Sequence, residues 1–378
     1  MPCKLLLVGQ VEMCTPDPFY QAMQKTGCEI YFVPAEGFAS DDYYLLMYPE
    51  KTDYNPLSAI FFWGEQPRKW FLENRKMDDT KKLFKAGSTR VSIAKQYRRI
   101  IKRHGRRIGF IGRFSTLNDI YGRNIARFLI YDASKKERTQ FLGRVSAEME
   151  TFATYLELFD YIINNTDYMI SVRPHPNEDI STYNLLRDRY KGRFEIDSAI
   201  DVAEWMGSCK SIIGLSSTAF PDAYIVQTPV ICLDKFLGTQ EATLNLESYM
   251  KYMYECSYLP ESLDEIKELL NRDQLPPVAT DEFIKFFEKY YLGETEIVFD
   301  TIVEAVAKNH IKTRIFDRLI IAMLKVLDFV MATRHKIMKK KSLTFDFSYH
   351  YHKITNTLKI VSNEINTRLT SKNADQDK

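Results

Sequence analysis

Short apolar runs recur along the chain from residue 5 to residue 233, with helically spaced stretches between them. Runs of four or five apolar residues that end in glycine, proline or charged residues are typical of buried strands in a parallel sheet. The strands predicted in this way are 5–8, 29–33, 59–63, 84–87, 108–111, 169–172, 211–215 and 229–233. Their alternation with helices predicts an α/β fold with parallel sheets.

The alternation of strands and helices is clearest between residues 169 and 234, where strand, helix, strand, helix and strand follow one another with short connections. Pro221 suits the first turn of one of these helices. The segments with helical spacing are 136–164, 181–190, 201–208, 221–226, 281–291 and 296–309.

The length of 378 residues indicates two domains with substantial cores. We predict an N-terminal α/β domain with an abbreviated sheet at 1–105 and a second α/β domain at 106–275. Helices at 276–310 are expected to pack back on the body of the protein. Residues 311–378 are predicted to form an amphipathic, basic helical extension and a disordered tail.

Polar clusters follow three strands of the second predicted domain. Arg173-Pro174-His175-Pro176 ends one strand, Ser216-Ser217-Thr218 ends another, and Arg113 and Ser115 follow a third. Ligands of such sheets bind beyond the carboxyl ends of the strands. The serine cluster also precedes a helix, whose free N–H groups and dipole favour an anion. These residues therefore predict a phosphate or diphosphate site.

Two carboxylates lie beside glycines at strand ends of the first predicted domain. Glu36-Gly37 follows the strand at 29–33, and Gly64-Glu65 follows the strand at 59–63. A neighbouring glycine lets a ligand approach the backbone closely. Both carboxylates are therefore candidates for a substrate site.

Composition and charge narrow the possible functions. The net charge of +2 carries no nucleic-acid signature. Six cysteines without a CxxC pair predict reduced, mostly buried thiols, and their spacing to the histidines predicts no metal site. The start of the chain shows no signal peptide, and no apolar run reaches the roughly 20 residues of a spanning helix. We expect a cytoplasmic protein.

With these motifs in order, residues 1 to 310 resemble a family of bacterial glycosyltransferases of the GT-B architecture. These are surface-carbohydrate biosynthesis proteins related to Kdo transferases and bacterial sialyltransferases. The family's markers are an acidic-Gly motif, an HP motif and an SS motif, and Trp63-Gly64-Glu65 is similar to its WG strand end. The markers correspond here to Glu36-Gly37, His175-Pro176 and Ser216-Ser217.

The resemblance implies two Rossmann-like domains with parallel sheets that face a central cleft, where a sugar is transferred from a nucleotide donor without a metal or other cofactor. In relatives that use CMP-activated ulosonic acids, the HP and SS motifs bind cytidine monophosphate. His175, Arg173 and the serine hydroxyls are suited to stabilise the charge of that leaving group. Glu36 is the first candidate for the base and Glu65 the second. Ala35 departs from the family, which usually has consecutive acids there.

Each candidate also has a structural interpretation. His175 can hydrogen-bond the backbone of its own loop, and Ser216 and Ser217 can cap the helix at Pro221. Arg173 can pair with Glu178 or Asp179. Glu36 can be a solvated turn residue. Asp222 and Asp234 are expected to be cap or surface residues, with Asp234 close to the donor as an alternative.

The segment 315–341 combines a wide apolar face with a basic end at 334–341. Three interpretations stay open: packing on the protein body, an oligomer interface, or peripheral association with the anionic inner membrane leaflet near a lipid-linked acceptor.

These motifs and the resemblance leave three alternative functions for the chain. The first is transfer of a CMP-activated sugar of the Kdo or sialic type to a glycan acceptor. The second is alditol-phosphate transfer from CDP-glycerol or CDP-ribitol, because those enzymes share similar HP and SS features. The third is a non-catalytic, glycan-binding member of the fold.

Overall fold

The structure, a computed structural model, confirms the α/β class and its parallel sheets. It forms two compact units. The first unit contains the described residues up to Ile93 and those from Ile284 to Lys308, and the second contains Ala94–Phe283. The residues that the structure describes are 5–8, 28–34, 44–45, 47–50, 52–77, 82–101, 104–122, 125, 135–197, 201–240, 244, 248–293 and 296–308.

The first unit contains a parallel sheet of four strands in the order β1-β2-β3-β4. All of its described neighbours pair in parallel, for example Leu6 with Ile30 and Ile60 with Leu83. This order has no reversal, so the described strands form no crevice of the kind that a topological switch point creates. The strands are β1 at Leu5–Val8, β2 at Glu29–Phe32, β3 at Ala59–Phe62 and β4 at Lys82–Lys85.

Alternate residues of β2 and β3 pack on opposite faces of this sheet, as the twofold period of a strand requires. One face packs against Tyr48, Trp70 and Phe71. The other face is covered by α10, Glu296–Lys308, through Val298 and Ile302. The sequence therefore has apolar residues at successive positions because both faces are buried.

Gly64, directly after β3, allows two backbone segments to meet. Its φ is +86°, and a Cβ atom there would lie 2.2 Å from the carbonyl oxygen of Lys289. Trp63 packs beside it against Tyr291, with ring centroids 5.5 Å apart. This glycine serves chain packing, which differs from the close ligand approach that the sequence suggested.

The second unit contains a parallel sheet of five strands in the order β7-β6-β5-β8-β9. The chain proceeds outward from β5 through β6 to β7, then returns to the other side of β5 with β8 and β9. The direction therefore reverses between β5 and β8, which is the switch point where α/β sheets bind ligands. The strands are β5 at Arg107–Ile111, β6 at Met169–Arg173, β7 at Phe194–Ile196, β8 at Ser211–Gly214 and β9 at Val230–Cys232.

Helices cover both faces of this second sheet. Tyr155 and Phe159 pack on one face with Phe110, whereas Trp205 lies on the other, close to Gly109.

The remaining helices of the described chain are α1 at Glu65–Asn74, α2 at Thr89–Ile100, α3 at Lys135–Asn165, α4 at Ile180–Arg189, α5 at Val202–Ser208, α6 at Phe220–Ile225, α7 at Lys251–Tyr254, α8 at Leu263–Asn271 and α9 at Asp281–Tyr290.

Most predicted elements agree with these bounds to within two residues. Strand β7 was not predicted, because its three residues offer one fully buried position, Phe194, and no apolar run. The four described cysteines are free and buried, as expected: Cys28, Cys209, Cys232 and Cys256.

The amphipathic segment 315–341 and the remainder of 309–378 lie outside the described residues. Within the part of the chain that the structure describes, no helix is both long and apolar enough to span a bilayer. The same residues contain no cluster of three or more histidine, cysteine or acidic side chains placed to hold a metal ion.

The contact of Gly64 with Lys289 predicts that Gly64→Ala destabilises the protein by about 3 kcal/mol, from left-handed strain and a backbone clash together. Gly192 is the matched control, because its φ is +76° and nothing lies within 4 Å of a Cβ placed there. Gly192→Ala should cost about 1 kcal/mol, from strain alone. Urea unfolding measures both losses, and equal losses would contradict the Gly64–Lys289 contact.

Candidate functional site

The switch point brings the loops after β5 and β8 into direct contact. Arg113 Nη1 donates a hydrogen bond to the carbonyl oxygen of Ser216, and the Arg113 side chain is half-buried. Below them, the buried Tyr155 hydroxyl donates to the carbonyl oxygen of Ile111 at 2.8 Å. Two of the predicted clusters therefore meet at the carboxyl edge of the sheet.

The loops after β5 and β6 are joined by the buried side chain of Glu178. Its Oε1 accepts the N–H of Phe114 at 2.9 Å and the N–H of His175 at 3.0 Å. Its Oε2 accepts the hydroxyl of Tyr183 on α4. Gly112 permits this approach, because a Cβ there would lie 2.8 Å from the Cα of Pro174.

Burial raises the pKa of Glu178 from 4.5 to about 7. The bonds from Tyr183, Phe114 and His175 lower it, but by less than burial raises it, and the nearby Glu148 raises it further. The carboxyl group therefore changes its charge in the neutral pH range.

A second buried carboxylate, Glu148 on α3, also binds the loop after β5. Its Oε2 accepts the N–H groups of Thr116 at 3.0 Å and Leu117 at 2.7 Å. Three N–H groups of this loop, on Phe114, Thr116 and Leu117, are thus occupied by carboxylates of the chain itself.

A third carboxylate, Asp234 after β9, binds the loop after β8. Its Oδ2 accepts the N–H of Ser216 at 3.2 Å, and its Oδ1 accepts the Thr239 hydroxyl at 3.0 Å. Asp234 is 1% exposed, which corrects its expected place at a cap or on the surface. Asp222 is likewise buried.

Ser216 itself points into the protein. Its residue is fully buried, and its hydroxyl lies beside that of Tyr254. Burial and the neighbouring Asp234 raise the pKa of Tyr254. The predicted contact of the Ser216 hydroxyl with a phosphate thus has no support from this geometry.

Ser217 and Thr218 are half-buried in the turn before α6. Ser217 Oγ accepts the N–H of Ala219 at 3.3 Å, and Ala219 is the N-cap of the helix. The alternative in which Ser216 and Ser217 are the helix caps is therefore wrong. Their loop keeps two hydroxyls, on Ser217 and Thr218, at the edge of the switch point.

His175 is exposed at the end of the loop after β6. Its Nδ1 accepts the N–H of Asn177 at 3.2 Å, so the neutral ring carries its proton on Nε2. This bond orients the ring within its loop. The backbone of His175 is held to the loop after β5 through Glu178.

Arg173 is directed away from these loops. Its guanidinium forms a buried ion pair with Asp197 after β7 and lies 5.9 Å from the ring centroid of Trp205. The alternative partners, Glu178 and Asp179, are therefore wrong, because Glu178 binds N–H groups and Asp179 caps α4. Arg173 stabilises the sheet edge between β6 and β7.

Ser115 lies beside a cavity of about 150 Å³ between the loops after β5 and β6. Asp119, Asn177 and Arg144 also line it. Pro176 is exposed next to His175. The cavity therefore adjoins the HP motif within the second unit.

The predicted acidic residues belong to the first unit. Glu65 is exposed in the first turn of α1 and forms an ion pair with Arg68 at 3.1 Å. Glu36, Gly37 and Ala35 lie outside the described residues. The base role of Glu36 or Glu65 stays a prediction.

The comparisons with known proteins concern the fold. No family model matches the chain, and no curated protein matches it. It is similar to the structure of UDP-GlcNAc 2-epimerase from Methanocaldococcus jannaschii, at 14% identity, a TM-score of 0.39 and coverage of 79% of this chain and 77% of that one. It is also similar to the wall teichoic acid polymerase TagF, at 13% identity, a TM-score of 0.39 and coverage of 82% and 90%.

The raised pKa of Glu178 predicts a pH-dependent stability. Between pH 4.5 and about 7 the unfolded chain loses this proton while the folded protein keeps it, so stability falls as pH rises. Glu178→Gln removes this loss while it keeps an oxygen for both N–H groups. We expect the variant to gain about 3 kcal/mol over the wild type between pH 4.5 and pH 8.

Urea unfolding with pulsed hydrogen–deuterium exchange of peptides from the second unit measures this difference at each pH. Glu157→Gln, an exposed position on α3, is the matched control and should show no pH-dependent gain. A Glu178→Gln stability curve parallel to that of the wild type would contradict the shift.

Proposed function

We propose that the chain is a glycosyltransferase that uses a nucleotide-activated sugar, without a metal, in the synthesis of surface polysaccharide or glycoconjugate. The leading donor is a CMP-activated acidic sugar of the Kdo or sialic type, and the acceptor is a glycan or a lipid-linked glycan. The motifs at His175-Pro176 and Ser216-Ser217 support this class, and the geometry of the second unit supports a phosphate at its switch point.

The observation that carries the proposal is the position of the Arg113 side chain and its few protein partners. Its guanidinium is half-buried at the switch point and bonds to one carbonyl oxygen. Among the described residues, no carboxylate forms an ion pair with it. A guanidinium has five N–H donors, so several are left for phosphate oxygens, which they bind with good geometry. Arg113 therefore takes the role that the sequence gave to Arg173.

The side chains around Arg113 suit a phosphate leaving group. As the bond between the sugar and the phosphate oxygen breaks, negative charge develops on that oxygen. In the proposed step, Arg113, the Nε2–H of His175 and the Ser217 and Thr218 hydroxyls stabilise this charge. The acceptor hydroxyl forms the new bond to the sugar and gives its proton to a base, for which Glu36 and Glu65 are the candidates.

A membrane contact belongs to the same proposal. The segment 315–341 would bring the enzyme to the anionic inner leaflet, where a lipid-linked acceptor is located. Its basic end supports this placement, since each lysine or arginine near such a surface is attracted to it.

The role of Arg113 predicts that Arg113→Gln weakens nucleotide binding by about tenfold or more, because a charge-assisted phosphate contact is lost. Calorimetry with CMP, CDP and UDP measures the loss. Arg187→Gln is the matched control, because Arg187 is exposed in the last turn of α4. It should bind like the wild type.

The same titrations separate the candidate functions. Tightest binding of CMP favours the sugar transferase, and tightest binding of CDP favours a CDP-glycerol or CDP-ribitol alditol-phosphate transferase. Absence of nucleotide binding by the wild type would favour the non-catalytic, glycan-binding alternative. Unchanged affinity in a folded Arg113→Gln variant would contradict the assigned phosphate site.

A further inference from the structure

One oxygen atom connects the two loops that carry the proposed phosphate ligands. Glu178 Oε1 accepts an N–H from Phe114, next to Arg113, and a second N–H from His175. Because both bonds end on the same atom, the backbone of His175 is fixed relative to the peptide that follows Arg113. Both bonds are 3.0 Å or shorter.

The loops are also paired further from the strands. The N–H of Ile120 binds the carbonyl oxygen of Asn177 at 2.9 Å, and the N–H of Asp179 binds that of Asn118 at 2.9 Å. These bonds keep the loops together when the Glu178 side chain is changed. The specific contribution of Glu178 is therefore the placement of His175 at the end nearest to Arg113.

The groups that face the Glu178 carboxyl group come from two helices and its own loop. Tyr183 on α4 bonds to Oε2, and α3 presents Glu148 and the Tyr155 hydroxyl. The backbone N–H groups of Phe114 and His175 bond to Oε1. Among the described residues, no cation forms an ion pair with Glu178.

We propose that Glu178 is a positioning residue of the phosphate site: its carboxyl group holds His175 in place beside Arg113, and its neutral form favours anion binding there. The proposal rests on the proposed function, in that it takes the anion to be the phosphate of a nucleotide. Glu178 is buried, and the proposal assigns it no contact with the donor or the acceptor.

Protonation changes the charge of Glu178 and leaves its links in place. In both forms Oε1 accepts the two N–H groups, while Oε2 accepts from Tyr183 or, when protonated, donates to it. A carboxylate behind the loop repels a phosphate held at its front. Since the pKa of Glu178 is raised to about 7, this repulsion increases as pH rises through the neutral range.

Two variants separate the positioning role of the Glu178 side chain from the effect of its charge. Glu178→Gln keeps the oxygen acceptor and stays neutral, whereas Glu178→Ala removes the link. CMP binding is measured by calorimetry at pH 6 and pH 8. Glu178→Gln should bind like the wild type at pH 6 and about fivefold more tightly than it at pH 8. Glu178→Ala should bind at least about tenfold more weakly at both pH values.

The titration of the CMP phosphate is common to the wild type and Glu178→Gln, so it cancels in the ratio of their affinities. Glu157→Gln is the control and should follow the wild type at both pH values. Wild-type affinity of Glu178→Ala would overturn the positioning role. A constant ratio between Glu178→Gln and the wild type would overturn the role of the charge.

A measurement without nucleotide completes the test. In protein labelled with ¹⁵N-phenylalanine, the Phe114 amide resonance should shift with a midpoint near pH 7, and this shift should be absent in Glu178→Gln. If the Phe114 amide does not titrate, the link to Glu178 is overturned. This result does not require the Glu178→Ala variant to fold. If the amide titrates but the wild type binds no nucleotide, the proposed function fails and the link stands.

Discussion

Buried carboxylates that bind backbone N–H groups determine the shape of the site. Glu178, Glu148 and Asp234 come from three different elements, and each accepts N–H groups of the loops at the carboxyl edge of the second sheet. Buried N–H groups need such partners, because an unpaired one costs about as much as a lost hydrogen bond. These bonds link the loops to the rest of the unit, and the N–H groups bound to these carboxylates are not available to a ligand.

This constraint decides which groups can bind an anion. In many α/β proteins a phosphate binds the N–H groups of a strand-end loop and the helix after it. Here, the N–H groups of Phe114, Thr116, Leu117 and Ser216 are bound to carboxylates, and the Arg113 guanidinium lies at the switch point. Because the pKa of Glu178 lies near neutrality, the negative charge that it places near the bound phosphate depends on pH.

Arg113 and Arg173 lie at the ends of adjacent strands, and in the sequence Arg173 has the stronger claim to the site. The sheet order distinguishes them, because β5 adjoins the switch point whereas β6 lies between β5 and β7. Arg173 consequently meets Asp197, at the end of a strand that sequence patterns did not reveal. The pairing of an arginine thus depends on tertiary neighbours that are 24 or more residues away.

The apolar runs predicted both sheets because their strands are buried on both faces, and this signal is local. The function of Glu178 was not predictable in the same way. Its partner Phe114 is 64 residues earlier in the chain, and the pair Glu178-Asp179 after His175-Pro176-Asn177 has the appearance of solvated loop residues. The burial of Ser216 is a similar case, since its neighbours Asp234 and Tyr254 come from later elements. Residues whose partners are distant in sequence need the fold before their roles can be assigned.

A crystal structure of the protein soaked with CMP is the most direct test of the proposed phosphate site. We expect a phosphate in contact with the Arg113 guanidinium and the His175 Nε2, while Glu178, Glu148 and Asp234 keep their N–H partners. A phosphate bound to the N–H groups of Phe114, Thr116 or Ser216, with the carboxylates displaced, would contradict it.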